Sequence, residues 1–150
     1  MENYKDAFRE LASLFRNMDG WEARQETPPS AYLHISKPAW LDQNLNGIHL
    51  ETYVMAGQLQ RGHAPVCLHC ERGFPKQREF MKLFTERARI IIEKWPGYRV
   101  LGPEGCSVCE IWVPLGSSAE ETTEALANEI FRLQELTPLI DQTIVDVMSS

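Results

Sequence analysis

Two short alternating stretches stand out in the middle of the chain. Residues 48–54 read IHLETYV and residues 66–71 read VCLHCE. Successive side chains of a strand point to opposite faces, so this period of two predicts a pair of β-strands, each with an apolar and a polar side. Ile48, Leu50, Val54, Val66, Leu68 and Cys70 share the apolar side. Both strands carry a His-x-Glu triplet, His49-Leu50-Glu51 and His69-Cys70-Glu71. Antiparallel pairing in a register near 49 opposite 71 sets 51 opposite 69, which places two cross-strand His/Glu pairs on one face of a hairpin. The connection over residues 57–64 contains Gly57, Gly62 and His63 and is longer than a tight turn.

Elsewhere the apolar period lengthens to that of a helix. Tyr4, Ala7, Phe8, Leu11, Leu14, Phe15 and Met18 follow i, i+3, i+4 spacing and predict a helix over residues 3–18, stopped by Asp19-Gly20. Residues 21–30 hold two prolines and mixed charge and are expected to be a connection. Residues 31–36 predict a short strand with Leu33 and Ile35 inward and Tyr32 and His34 outward. Lys37-Pro38 ends it, because proline lacks a backbone donor, and residues 42–47 (DQNLNG) have turn chemistry.

A second helix is predicted over residues 76–95, with Phe80, Leu83, Phe84, Ala88, Ile91 and Trp95 as its stripe, widened by Met81, Ile90 and Ile92. Pro96-Gly97 stops it. Residues 98–101 and 107–115 predict two further strands around the Gly-Pro-Glu-Gly turn at 102–105. Ser117-x-x-Glu120 and Ser118-x-x-Glu121 both fit a capping box for a helix carrying Leu126, Ile130, Leu133 and Leu136. Thr137-Pro138 then opens a short last helix over 139–148. The predicted order is α-β-β-β-α-β-β-α(-α). This is a single two-layer α+β domain over residues 1–150, with a five-stranded, mostly antiparallel sheet and helices on one face.

The totals narrow the function classes. A chain of 150 residues with 43% apolar and 24% charged residues is ordinary for a globular domain. Its net charge of −6 argues against general nucleic-acid binding and against an anionic membrane surface. No apolar run reaches the roughly 20 residues that span a bilayer. The opening MENYKDAFRE lacks a basic region followed by an apolar one, so the expected compartment is the cytoplasm. Charge is uneven: residues 72–99 hold eight basic and three acidic residues, residues 117–150 one basic and seven acidic. Two helices with complementary outer faces explain that; so does a basic partner surface beside an acidic one.

In the predicted register the polar face of the sheet gathers His34, His49, Glu51, Tyr53, Cys67, His69, Glu71, Glu110 and Trp112. Three uses are open. A wet sheet face carries polar residues without further purpose. A peptide or ligand surface would use His34, His49, Glu51, Tyr53, His69, Glu71, Glu110 and Trp112, whose aromatic members supply contact area. A metal or acid–base site would use His49, Glu51, His69 and Glu71, because imidazole and carboxylate suit zinc, iron or manganese. The cysteines form two CxxC pairs, Cys67/Cys70 and Cys106/Cys109. In a regular strand Cys67 and Cys70 point to opposite faces, so the thiols are expected to be reduced and free of zinc. There is no glycine-rich phosphate loop, no Gly-x-Ser-x-Gly and no His-Glu-x-x-His, and no cofactor is expected.

The order helix, three strands, helix, strand resembles the core of PD-(D/E)xK nucleases. That resemblance implies Asp42 and Glu51 as the acids of a nuclease centre. The catalytic lysine of that pattern is replaced by Tyr53 after Glu51 and by Gly73 after Glu71. The whole order also resembles small acidic type III secretion chaperones, which implies a dimeric peptide-binding protein. The expectation is a non-catalytic domain that binds a protein or peptide and self-associates as a homodimer, aided by the apolar segment after Pro138. The alternative is a metal-dependent hydrolase or degenerate nuclease on the His/Glu face.

Overall fold

The structure is a computed structural model and describes residues 3–26 and 31–150. Helix α1 spans Asn3–Arg16. Strands β1 (Glu22–Glu26) and β2 (Ala31–Ser36) follow, then a 3-10 turn over Pro38–Trp40 and strand β3 (Ile48–Val54). A one-and-a-half-turn helix α2 (Ala56–Arg61) leads into β4 (His63–Cys70), and α3 covers Gln77–Ile92. Strands β5 (Arg99–Val100) and β6 (Ser107–Pro114) precede α4 (Ala119–Gln134) and α5 (Thr137–Met148). The strands form one antiparallel sheet in the order β1-β2-β3-β4-β6-β5.

The architecture is α+β as expected, but the sheet has six strands rather than five. The extra one, β1, lies within the stretch expected to be a connection. Its sequence EARQE offers no apolar alternation, because an edge strand with one exposed side needs little apolar surface. Residues 27–30, the proline-containing part of that expected connection, lie outside the described residues. The connection between the central strands also contains the helix α2, so neither family order discussed above is matched element for element.

The apolar side of the sheet was legible and holds the core. Leu33, Ile35, Ile48, Leu50, Val66, Leu68 and Cys109 are fully buried beneath Phe8, Leu11 and Phe15 of α1, Phe80, Phe84 and Ala88 of α3, and Leu126 and Ile130 of α4. The helical stripes are narrower than their apolar content suggests. Leu14 of α1 faces outward, as do Ile90 and Ile91 of α3, where a 3.6-residue period through Met81, Phe84, Ala88 and Ile92 leaves those two on the far arc. Ser118 caps α4 by accepting the Glu121 backbone N–H at 3.1 Å. The Glu121 carboxylate reaches Ser117 instead of closing a box on Ser118.

Helix α5 docks on its own chain. Ile140, Thr143 and Val147 are buried, Arg87 of α3 pairs with Asp146 at 2.7 Å, and Lys76 donates to the Val147 carbonyl at 2.9 Å. The buried Trp40 indole donates to Asp141 at 2.8 Å. Val145 and Met148 stay exposed, so only part of the apolar circumference of α5 is used.

The hairpin register is shifted by two residues from the expected one. His49 lies opposite His69 and Glu51 opposite Cys67. An even shift keeps every side chain on its face, so the His/Glu side of the sheet survives while its cross-strand partners change.

Candidate metal centre on the second face of the sheet

The four longer helices all belong to the apolar side. The other face is made by the sheet's own residues: Arg24 from β1, Tyr32 and His34 from β2, His49, Glu51 and Tyr53 from β3, Cys67 and His69 from β4, and Glu110 and Trp112 from β6. Direct pairs Arg24–His34, His34–Glu51, Glu51–Cys67 and Cys67–Glu110 establish that shared face.

Glu51 sits at its centre and is only 5% exposed, with His49 at 2%. This corrects the expectation of an open, wet face. Large flat side chains on adjacent strands close over the carboxylate without help from a helix. Tyr53 stacks on Tyr32 at 5.2 Å between ring centres, Tyr32 lies 4.6 Å from His34, His34 stacks on His49 at 4.3 Å, and His49 lies 5.1 Å from His69. Neighbouring strands about 4.8 Å apart impose this row of rings once each contributes an aromatic residue at a matching position.

Both oxygens of Glu51 are engaged. Oε2 is 2.9 Å from His49 Nε2 and accepts the Tyr32 hydroxyl at 2.9 Å, and His34 Nε2 is 4.0 Å away. Oε1 accepts the Cys67 thiol at 3.3 Å and lies 3.8 Å from His69 Nδ1. One donor atom each from His34, His49 and Glu51 lies within 4.8 Å of the other two, a spacing compatible with a single metal ion.

The electrostatics suit that use. Burial alone would raise the Glu51 carboxyl, but the His49 hydrogen bond, the His69 and His49 charges and the Tyr32 hydroxyl outweigh it and hold it at about 2. Burial first, and then His49 beside it, bring His34 down to about 4 against the pull of Glu51. His69 is lowered as well, again by burial first. At neutral pH the Glu51 carboxylate is therefore ionised and the His34 imidazole uncharged, the forms in which these groups bind metals. The Cys67 thiol is pushed well up by burial and by Glu51, so it remains a neutral donor.

The remaining sequence-predicted residues spread outward. Glu71 lies just past the end of β4, its Oε1 3.6 Å from His49 Nδ1. Tyr53 is half-buried. Glu110 is paired with Arg99 and accepts the Trp112 indole N–H at 3.0 Å, two strands away from His49. Asp42 accepts the backbone N–H groups of Asn44 and Asn46 at 2.8 and 2.9 Å, which commits it to its turn. The expected metal set left out His34, now one of the three clustered donors, and the direct contacts of Glu51 with Tyr32 and Cys67 were not foreseen. The outward Tyr32-x-His34 alternation was the available signal. Cys67 and Cys70 point to opposite faces, as expected, and all four cysteines are free thiols.

Two imidazoles and one carboxylate form a donor set that leaves coordination positions for water or substrate. A divalent ion there would act as a Lewis acid and lower the pKa of bound water. Comparisons with protein-family models, with curated proteins and with solved structures returned no significant match.

Proposed function

We propose that the protein is a metal-dependent hydrolase whose divalent transition metal is held by His34, His49 and Glu51. The observation that carries this reading is the convergence of those three donors within 4.8 Å around a nearly inaccessible carboxylate. A buried anion needs compensation, and a cation held by Glu51, His49 and His34 would supply it. The role of the metal is to activate water, with Tyr32 and Cys67 fixing the carboxylate as outer-shell donors.

The test is metal analysis of protein purified without a histidine tag, followed by calorimetric titration with zinc and manganese. A single equivalent is expected, lost in Glu51→Gln and His49→Ala, along with metal-dependent ester or phosphoester hydrolysis. A chain that binds neither ion would sink this reading. A second reading, peptide binding without catalysis, draws on Tyr53 and Trp112, half-buried on the same face. A folded protein without metal that still bound peptides through that face would favour it.

A further inference from the structure

Beside the candidate centre, the sheet face opens into a cleft of about 360 Å³. His34 and His49 form part of its wall. Arg16 and Arg24 line it from the end of α1 and from edge strand β1, and Trp21, Leu41 and Leu45 add apolar surface. We infer that the substrate handled here carries an anionic group, carboxylate or phosphate, on an apolar body, with Arg24 receiving the anion and Arg16 supporting it. This rests on the metal-centre reading and extends it to a substrate class.

The charges favour this assignment. Arg9, Arg87, Arg89, Arg99 and Arg132 each pair with a carboxylate. Arg16 and Arg24, like Arg61, Arg72 and Arg78, make no such pair among the described residues, but only these two stand in the wall of this cleft, which Glu22 also lines. Arg16 donates from Nε to the Ala23 carbonyl at 3.3 Å, and among the described residues its terminal nitrogens have no partner. Guanidinium is the side chain best shaped for planar recognition of carboxylate or phosphate.

Arg24 is also coupled to the metal ligand. Its Nη2 lies 3.5 Å from His34 Nδ1, a contact in which the guanidinium donates and the ring nitrogen accepts. For His34 to bind a cation through Nε2, its remaining proton must sit on Nδ1. Two donors then face each other and the contact is lost. Metal binding therefore releases the Arg24 guanidinium, and the Nδ1–H of His34, towards the cleft. An anion there satisfies both donors and balances the positive charge of the centre. The cleft volume falls within the usual range for small-molecule sites, and Trp21 and Leu41 supply an apolar wall for the rest of the molecule.

The experiment is calorimetric titration of the zinc-loaded protein with phenyl phosphate, benzoate and neutral benzamide. It is repeated on Arg24→Ala, Arg24→Lys and Arg16→Ala. At least one anion is expected to bind, with the tighter of the two identifying the anionic group, and benzamide is expected not to. Arg24→Ala should weaken the anion about ten- to a hundredfold, the span of a charged hydrogen bond lost. Arg24→Lys should recover part of the loss and Arg16→Ala should show a smaller one, while zinc binds all three variants at a single equivalent. Arg24 is exposed on an edge strand, so these variants should keep the wild-type circular dichroism. Zinc-loaded protein that binds neither anion, or Arg24→Ala that binds them as tightly as wild type, overturns the inference and leaves the metal centre standing. Wild-type protein that takes up no zinc overturns the metal centre, and the inference with it.

Discussion

Leu50 and Glu51 are neighbours in β3, and both are shielded from water, yet by different means. Leu50 lies on the side covered by helices, in a core of aliphatic and phenyl groups. Glu51 lies on the side without such a layer and is enclosed by tyrosine, histidine and cysteine side chains of the sheet itself. The consequences for charge differ. On the covered side burial keeps groups neutral: the Cys109 thiol is raised to about 12, and Tyr98 is raised by burial and by Glu129. On the other side convergent donors keep a buried carboxylate ionised, at about 2. One face is built mainly from apolar groups; the other surrounds a charge with donors. The first arrangement stabilises, and the second is suited to bind and react.

Substitutions at this adjacent pair give the sharpest contrast. Glu51→Gln keeps the shape of the side chain but removes the charge. It is expected to lower metal affinity more than about a hundredfold, beyond the usual loss for an outer-shell change, with the native circular dichroism spectrum retained. Leu50→Ala should do the reverse, losing about 2–5 kcal/mol of stability through the cavity it leaves while still taking up a single metal equivalent when folded. Urea unfolding and metal titration of the two variants check both halves. Loss of metal from a folded Leu50→Ala chain would erase the distinction between the faces.

A smaller effect is expected where the two regions meet. Gly47 bridges to Leu41 at the base of the turn beside the cleft, and a Cβ there would lie 1.9 Å from the Trp40 carbonyl oxygen. Gly47→Ala should therefore cost about 1–3 kcal/mol, the range of overpacking, and should also weaken anion binding by displacing Leu41 and Leu45. Unfolding at wild-type midpoint would show that the turn yields freely.

The covered side should also reveal itself at alkaline pH. Cys109 and Tyr98 have raised pKa values in the folded chain, so the folded state keeps protons that the unfolded state releases. Their contribution is complete below the unfolded thiol value of about 8.5 and is lost as pH rises towards the folded values. The Cys109 thiol alone should lower stability by about 2 kcal/mol between pH 8 and 10, with the raised Cys70 and Cys67 thiols adding to the fall, measured as a drop in urea midpoint, with less of a drop in Cys109→Ala once its own destabilisation is subtracted. A midpoint that rose over that interval would contradict the burial of these groups.

The strands around the His-x-Glu triplets and the helix stripes were readable because local alternation and 3.6-residue spacing are set by backbone geometry within a few residues. The division of β3 and β4 into two faces followed from the same rule and outlived a two-residue error in register, since an even shift exchanges partners without exchanging sides. Strand β1 could not be seen, because EARQE has no apolar period of its own and becomes a strand by pairing with β2. The site was half legible. His49 and Glu51 stood out as a pair two residues apart, whereas the contacts of His34, Tyr32 and Cys67 with Glu51 depend on which strands lie side by side and in what register. The sequence alone determined which residues share a face. Only the tertiary structure decided which of them touch, because strand neighbours and register are fixed by long-range pairing and by packing of the opposite face on the helices.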